Sequence, residues 1–276
     1  MNLSLKVLKK LNNGYHNIAS LITFCSLHDI ISVSEIKSLK DRITFSGKFS
    51  DGIDNKSNTV IKLLNLLRKN NLLKNYKFNI NIKKNIPHGS GLGGGSSNAA
   101  SLLNYFNKKM RLNLSKKKLT KLARQVGFDV PINLERKNTL LTGKKEEILR
   151  FNYPFKLNLL IIYPNLICST KKIYNKNKLI SLARSQSFFK PKSKKELIIF
   201  LKKQNNDLEK TVVKIYPKVG KIIKHINSQK GCYLSRITGS GSACIGIFSN
   251  TSNAIYAQKA IRSKYPKYWC VVSKTI

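Results

Sequence analysis

The 276-residue sequence predicts a two-domain α+β protein. Predicted strands and helices follow one another in mixed order, without the regular alternation that a doubly wound parallel sheet requires. A glycine-rich run separates an alternating strand from an apolar helix, and the chain is long enough to form two hydrophobic cores. We expect the domains to comprise residues 1–152 and 153–276.

The first half is predicted to begin with antiparallel strands and to continue with helices on either side of the glycine-rich run. Ser57 or Asn58 is expected to cap the first helix, and Gly127 is expected to end the third. Pro164 marks the end of a strongly apolar strand. The predicted elements are strands over 3–8, 18–27, 30–36, 42–45, 78–82 and 157–163, a hairpin over 138–150, and helices over 60–67, 99–106 and 115–126.

The second half is predicted to contain three helices, a pair of strands, a further helix and a final strand. Pro217 separates two of the helices, because proline is not tolerated in a helix interior. Thr251 lies near the expected N-cap of the last helix. The predicted helices span 193–203, 206–216, 218–228 and 251–261, and the strands span 232–238, 242–248 and 269–272.

The glycine-rich run extends from Lys84 to Ala100 and is the most informative segment of the chain. Glycine permits positive φ and close backbone approach, and the first amides of a helix have no internal partners. Several N–H groups and the positive helix end therefore converge, which predicts a polyphosphate site. Ser96 or Ser97 could also contribute a hydroxyl to a magnesium ion. The residues assigned to this site are Pro87, His88, Gly89, Ser90, Gly91, Leu92, Gly93, Gly94, Gly95, Ser96 and Ser97.

Two commoner nucleotide-binding loops do not fit this run. A Walker loop ends in Gly-Lys-Ser/Thr, whereas no lysine follows these glycines. The dinucleotide pattern needs an acidic residue about twenty positions further on, and residues 97–128 contain no Asp or Glu. A flexible Gly/Ser linker is the remaining alternative, although linkers seldom join an alternating strand to a long apolar helix.

Composition narrows the class of protein. Lys and Arg number 52 against 12 acids, a net charge of +40, so a nonenzymatic nucleic-acid-binding protein must be considered. The basic residues are spread along the chain, which favours solvated surface lysines and no specific nucleic-acid partner. Five scattered cysteines indicate free thiols in the reducing cytoplasm. No apolar stretch reaches the length of a membrane span, so no membrane association is expected.

The segment PHGSGLGGGSSNAA (87–100) resembles the central phosphate loop of the GHMP kinases. Three further segments agree with that family in order: NGYH (13–16), GFDVP (127–131) and SRITGSGSAC (235–244). The resemblance implies an ATP- and magnesium-dependent kinase. It also implies an N-terminal domain with a left-handed βαβ crossover and a ferredoxin-like C-terminal domain. A monomer or a weak homodimer is expected.

Asp129 is the candidate catalytic residue. It lies between apolar residues, where an ionised carboxylate needs a reason to persist, and the resemblance implies that it is the general base on the accepting hydroxyl. The structural alternative is that Asp129 caps a helical turn at Pro131. The acids expected to be solvated instead are Asp41, Asp51, Asp54, Glu146, Glu147, Asp207 and Glu209.

The resemblance also implies the acceptor site. Tyr15 and His16 match a family pair that holds a cytosine, which favours a cytidine diphosphate derivative of an isoprenoid precursor as substrate. Other GHMP kinases, of the homoserine or phosphomevalonate type, are the nearest alternative. The remaining residues expected to contact substrate are Asn2, Thr170, Tyr174, Gly239, Ser240 and Gly241.

Two departures from the family pattern are visible. The resemblance implies a catalytic lysine in a motif of the form Ala-Lys-Ile/Leu-Asn-Leu. Met1, Asn2 and Leu3 match the part of this motif that follows the lysine, so the lysine itself would fall immediately before residue 1. We expect either a start codon assigned too late or a weakened enzyme, and a Lys codon directly upstream would support the first. The family's Gly-x-Gly-Glu after the aspartate is Lys144-Lys145-Glu146-Glu147 here, which retains only the last acid.

Overall fold

The computed structural model describes residues 1–11, 16–54, 58–142, 147–177 and 191–276. These residues form eleven strands and eight α-helices in mixed order, as the sequence predicts. The elements are β1 (Asn2–Lys10), β2 (His16–Ile22), β3 (Ile30–Ile36), β4 (Arg42–Ser46), α1 (Thr59–Lys69), β5 (Lys77–Lys83), α2 (Gly94–Lys109), α3 (Lys116–Val126), β6 (Asn138–Leu141), β7 (Ile148–Phe151), β8 (Asn158–Tyr163), α4 (Thr170–Lys176), α5 (Lys194–Lys202), α6 (Glu209–Ile215), α7 (Pro217–Asn227), β9 (Cys232–Ile237), β10 (Cys244–Phe248), α8 (Thr251–Lys264) and β11 (Trp269–Lys274).

The chain divides into two units that do not follow its linear order. Unit 1 comprises Met1–Ser26, Gly89–Leu92 and Lys137–Ile276, and unit 2 comprises Leu27–His88 and Gly93–Arg136. The first half of the glycine-rich run therefore belongs to unit 1 and the second half to unit 2. The domain boundary expected after residue 152 stays a prediction.

Unit 1 contains two antiparallel four-stranded sheets. One has the order β1-β2-β6-β7 and the other the order β11-β8-β10-β9. The second order, with α4 to α7 between β8 and β9 and α8 between β10 and β11, is the ferredoxin-like arrangement expected for the C-terminal half. Leu5 and Val7 of β1 are buried with Leu160 and Phe248 in one core, which ties β1 to the second sheet.

Unit 2 is a three-stranded sheet covered by helices. In the order β3-β5-β4, β3 is antiparallel to β5 and β4 is parallel to it, so α1 forms the crossover between two parallel neighbours. Phe78, Ile80 and Ile82 alternate along β5 onto one buried face. They pack against buried residues of all three helices, including Leu63 and Phe106.

Local capping chemistry places most helix ends where the sequence predicts them. Asn58 caps α1 by accepting from two backbone amides, Ser115 caps α3, and Gly127 follows its last residue. The alternative cap at Ser57 lies outside the described residues. Asn250 caps α8, one residue before the expected Thr251.

Three acids expected to be solvated are instead paired, so that expectation is wrong for them. Asp41 forms a bidentate ion pair with Arg68, with its closest N–O distance at 2.8 Å. The other two are Asp207, which is buried and accepts from Val7 N at 2.8 Å, and Glu209, which accepts a backbone amide and whose pKa is raised by burial. Their partners are distant in sequence, which local patterns do not reveal. The remaining acids of that group are exposed (Asp51, Asp54, Glu147) or outside the described residues (Glu146).

None of the helices within the described ranges is both long and apolar enough to cross a bilayer. The five cysteines are free thiols, three of them buried and two half-buried. Burial raises the pKa of Cys168 to about 11 and that of Cys270 to about 12. Such thiols are protonated at neutral pH, which makes them poor nucleophiles.

Candidate active site

The second half of the glycine-rich run forms the first turn of α2 in unit 2. Its N-cap is Gly93, which has φ +75° and provides no side-chain hydrogen bond to the turn. The amide of Ser97 donates to Gly93 O at 3.0 Å, so the helix is wound from its first residue. By contrast, α1, α3, α4, α5 and α8 carry Ser or Asn caps. The first amides of α2 are therefore left without a side-chain acceptor and can receive an anion.

Asp129 lies in the same unit, between α3 and a short 3-10 turn (Pro131–Leu134). The turn is attached to α2, because Asn104 Nδ2 donates to Leu134 O at 3.0 Å. Asn133 Nδ2 donates to the backbone oxygen of Asp129 at 2.7 Å. No donor among the described residues forms a hydrogen bond with the Asp129 carboxylate, so that group is not used as a side-chain cap.

The electrostatic setting of Asp129 suits a proton acceptor. Its side chain is accessible to solvent. The protein atoms around it nevertheless remove part of the hydration of its carboxylate, and this desolvation raises its pKa. A carboxylate with a raised pKa is a stronger base than an ordinary aspartate once it is ionised.

The first half of the glycine-rich run is fixed in unit 1 against the Gly239–Gly241 loop. Ala243 N donates to Ser90 O at 2.9 Å, and Thr238 Oγ1 donates to Gly91 O at 3.4 Å. A Cβ on Gly91 would lie 2.3 Å from Thr238 O, so only glycine permits this approach. The structure thus brings the two glycine loops together, while the role of Gly239, Ser240 and Gly241 at a substrate site stays a prediction.

Asn2 and Asn206 also form hydrogen bonds to residues 238 and 239. Asn2 N donates to Thr238 Oγ1 at 2.9 Å, and Asn2 Nδ2 donates to Ser20 Oγ at 2.8 Å. Asn206 Nδ2 donates to Gly239 O at 2.8 Å. Thr238 and Asn206 are supporting residues that the sequence interpretation missed. Thr238 lies within the SRITGSGSAC segment but was not singled out there, and Asn206 lies in no motif.

Four of the residues predicted to bind the substrate form two contacts within unit 1. Thr170 Oγ1 lies 2.9 Å from Ser240 Oγ, at the N-terminus of a helix, α4, that the sequence did not predict. The rings of His16 and Tyr174 lie 5.0 Å apart at 32°. Burial, reinforced by Lys10, lowers the pKa of His16, so its ring is neutral at pH 7 and offers both a donor and an acceptor. Tyr15 lies outside the described residues.

The other loop residues are placed as follows. Pro87 is buried, and His88 Nε2 lies 2.9 Å from Asp51 O within unit 2. Gly89 O accepts from Cys168 N at 3.3 Å within unit 1. The half-buried residues are Leu92, Ser96 and Ser97, and the hydroxyls of the two serines lie on the first turns of α2.

Comparison with known proteins decides the family. The model of the GHMP kinases N terminal domain matches residues 58–134, and that of the GHMP kinases C terminal domain matches residues 194–267. A 4-diphosphocytidyl-2-C-methyl-D-erythritol kinase of Pelagibacter ubique (strain HTCC1062) is 37% identical over 276 residues, covering 100% of this chain and 96% of the relative. The chain belongs to the GHMP kinase family.

A second relative agrees with this assignment, and two solved structures agree with the fold. The protein of the same name from Wolbachia pipientis wMel is 33% identical, with 98% of this chain and 93% of the relative covered. A crystal structure of 4-(cytidine 5'-diphospho)-2C-methyl-D-erythritol kinase superposes with a TM-score of 0.73 at 24% identity, covering 100% of this chain and 96% of that one. Mevalonate kinase from L. major superposes with a TM-score of 0.69 at 12% identity, covering 93% and 89%. The predicted GHMP kinase fold is confirmed.

Proposed function

We propose that this GHMP kinase transfers the γ-phosphoryl group of ATP to the 2-hydroxyl of 4-diphosphocytidyl-2-C-methyl-D-erythritol. This reaction belongs to the methylerythritol phosphate route to isoprenoid precursors. The observation that carries the proposal is the 37% identity, over the whole chain, to a relative named for that substrate. A cytoplasmic location and a monomer or weak homodimer accompany it.

ATP fits the first turn of α2. The turn presents backbone N–H groups without a side-chain cap, at the positive end of a 16-residue helix. The amides of Gly94, Gly95 and Ser96 would bind phosphate oxygens, and the side-chain-free cap at Gly93 leaves room for them. The helix end holds the triphosphate and needs no lysine within the loop.

Magnesium fits a site completed by the nucleotide. The described residues contain no group of three His, Cys, Asp or Glu side chains able to hold a metal. Mg²⁺ bound with nucleotides usually keeps several waters and takes phosphate oxygens as ligands. Ser96 or Ser97 would contribute the protein's oxygen ligand, and the bound ion would neutralise charge on the phosphates.

Asp129 would act as the general base. When ionised, it would accept the proton of the 2-hydroxyl as that oxygen attacks the γ-phosphorus. The bond from the γ-phosphorus to its bridging oxygen breaks, and ADP leaves. Asn2, Thr170 and Ser240 would orient the alcohol through hydrogen bonds, since hydroxyl and amide side chains both donate and accept.

The cytosine would stack on Tyr174, with Tyr15 on its opposite face and His16 hydrogen-bonding its edge. This arrangement favours a cytidine compound over homoserine or phosphomevalonate.

Replacing the stacking ring should weaken substrate binding selectively. For Tyr174→Ala we expect the KM for the cytidine substrate to rise about ten- to a hundredfold, because a base–aromatic stack contributes roughly 1–3 kcal/mol. The KM for ATP should stay within twofold of wild type. The matched control is Tyr256→Ala, whose ring on α8 is 70% exposed. An unchanged KM in Tyr174→Ala would contradict the cytosine assignment.

A panel of alcohols tests the substrate directly. The kcat/KM for ADP formation should be at least a hundredfold higher with the cytidine compound than with homoserine or phosphomevalonate. Such a ratio follows when a site built for one substrate leaves buried polar groups unpaired with another. Faster turnover of either competitor would replace the proposal with a different GHMP kinase activity.

The net charge of +40 should produce only nonspecific nucleic-acid binding. We expect random oligonucleotides to dissociate between about 50 and about 200 mM salt, because this binding comes from counterion release. Saturable ATP binding should persist over the same range. Fluorescence anisotropy of a labelled oligonucleotide, measured with and without ATP, checks this. Sequence-selective binding that survives the higher salt would favour a nucleic-acid-binding protein.

A further inference from the structure

Asp29 is a buried carboxylate beneath the start of the glycine-rich run in unit 2. It immediately precedes β3, and its side chain is 0% exposed. Its Oδ1 accepts the backbone amides of Asn85 at 2.7 Å and Ile86 at 2.8 Å. Its Oδ2 accepts from Asn98 Nδ2 at 2.9 Å and from the ammonium of Lys84. All the donors come from the glycine-rich run.

The four donors lie on either side of the loop, three before its first glycine and one after its last. Lys84, Asn85 and Ile86 follow β5, whereas Asn98 lies on α2 in the turn after the first glycines. The first turn of α2 rests on the same group, because a Cβ on Gly94 would lie 3.1 Å from Ile86 Cγ2 and 3.4 Å from Lys84 Nζ. Asp29 therefore joins the strand that enters the loop to the helix that leaves it.

We infer that Asp29, Lys84 and Asn98 are positioning residues that hold the first turn of α2 in the orientation needed to bind the triphosphate. This inference rests on the proposed function, since it assigns a role in ATP binding. Backbone amides stabilise phosphate charge best when their direction is fixed before binding. A carboxylate that ties the loop's entry to its exit fixes that direction.

The charge of the cluster explains its composition. A buried ammonium without a partner would be very unfavourable, and so would a buried carboxylate. Asp29 and Lys84 neutralise each other, and the side chain of Lys84 is 4% exposed. Lys84 therefore leaves the binding of phosphate to the backbone, while its Nζ lies beside Gly94.

Unit 2 offers a matched control in Asp41. Its carboxylate likewise pairs with a cation, Arg68, and accepts a backbone amide, that of Phe78, at 2.8 Å. Phe78 lies at the beginning of β5, whereas Asn85 and Ile86 follow its end. Asp41 thus supports the same sheet without touching the glycine-rich run.

The test compares Asn98→Ala, Asp29→Asn and Asp41→Asn in the full chain. ATP affinity is measured by calorimetry, folding by denaturant titration, and the KM of the alcohol by steady-state kinetics. We expect Asn98→Ala to raise the Kd for ATP about tenfold, since a hydrogen bond to a charged group contributes roughly 1.5 kcal/mol. Asp29→Asn should raise it at least as much, while Asp41→Asn lowers stability with ATP affinity within twofold of wild type. The alcohol KM should stay within twofold throughout.

Two results would overturn the inference. One is a folded Asn98→Ala protein that binds ATP as wild type does. The other is an Asp41→Asn protein that loses ATP affinity as much as Asn98→Ala, which would indicate a general effect of weakened folding. If Asp29→Asn fails to fold, Asn98→Ala and the doubly neutral Asp29→Asn/Lys84→Met protein decide the question. A wild-type protein that does not bind ATP would instead contradict the proposed function.

Discussion

Replacing Asp129 with Asn should lower kcat by about a hundred- to ten-thousandfold, the range for loss of a general base. Asparagine keeps the shape of the side chain but does not accept the proton of the attacking hydroxyl. ATP binding should be nearly unchanged, because the phosphate-binding amides belong to α2. Steady-state kinetics and calorimetry on the same preparation separate the two effects. The control is Asp51→Asn, an exposed carboxylate in the same unit.

Stability distinguishes a catalytic Asp129 from a structural one. Desolvation raises the pKa of Asp129 in the folded protein, so the unfolded state loses the proton at lower pH than the folded state. The contribution of Asp129 to stability is therefore greatest below its unfolded pKa and falls as pH rises through its folded pKa. Asp129→Asn should be as stable as wild type or more stable at neutral pH. A variant that loses both activity and stability would indicate a structural role.

The same raised pKa predicts how wild-type activity depends on pH. The base works only when ionised, so kcat/KM should rise with pH through the folded pKa of Asp129. The acid limb should lie at higher pH than an ordinary aspartate would give. An acid limb in the usual aspartate range would contradict the desolvated carboxylate described here.

The second large effect is expected at Gly91. Gly91→Ala forces a side chain into the left-handed region, at φ +80°, and brings its Cβ to 2.3 Å from Thr238 O. The conformation alone costs about 1–2 kcal/mol, and the overlap adds about 1–3 kcal/mol as in other overpacked sites. The free energy of unfolding, measured by denaturant titration, should fall by the sum of the conformational cost and the overlap cost.

Gly93→Ala measures the conformational cost without the steric overlap. Gly93 also has positive φ, +75°, but a Cβ there meets nothing within 4 Å. This variant should lose only the conformational part, about 1–2 kcal/mol. If the two variants lose equal stability, Gly91 is not in close contact with the Gly239–Gly241 loop, and the pairing of the two glycine loops is wrong.

Local sequence patterns were sufficient where the determinants are local. The strand before the glycine-rich run, the helix after it and the caps at Asn58 and Ser115 depend on neighbouring residues alone. Alternation placed β5 correctly because every second side chain enters the core of unit 2. The existence of α2 directly after the glycines was therefore predictable, although the helix starts earlier, at Gly94, and ends later, at Lys109, than the predicted 99–106.

Contacts between residues that are distant in sequence were not predicted. Asp29 lies 55 positions from Lys84, and Asp207 lies 200 positions from Val7. Neither acid has a distinctive neighbourhood in sequence, so nothing local indicates that it is buried. Helix α4 was missed because only Ile173 of its seven residues is buried, which gives almost no apolar periodicity.

The most direct test of the proposed phosphoryl transfer is ³¹P NMR of the protein mixed with ATP, magnesium and 4-diphosphocytidyl-2-C-methyl-D-erythritol. The γ-phosphate signal of ATP should disappear while the signals of ADP and a new phosphate monoester grow in equal amounts. Asp129→Asn in the same mixture should convert ATP about a hundred- to ten-thousandfold more slowly. Intact ATP with the wild-type protein, or release of inorganic phosphate without the monoester, would contradict the proposed transfer.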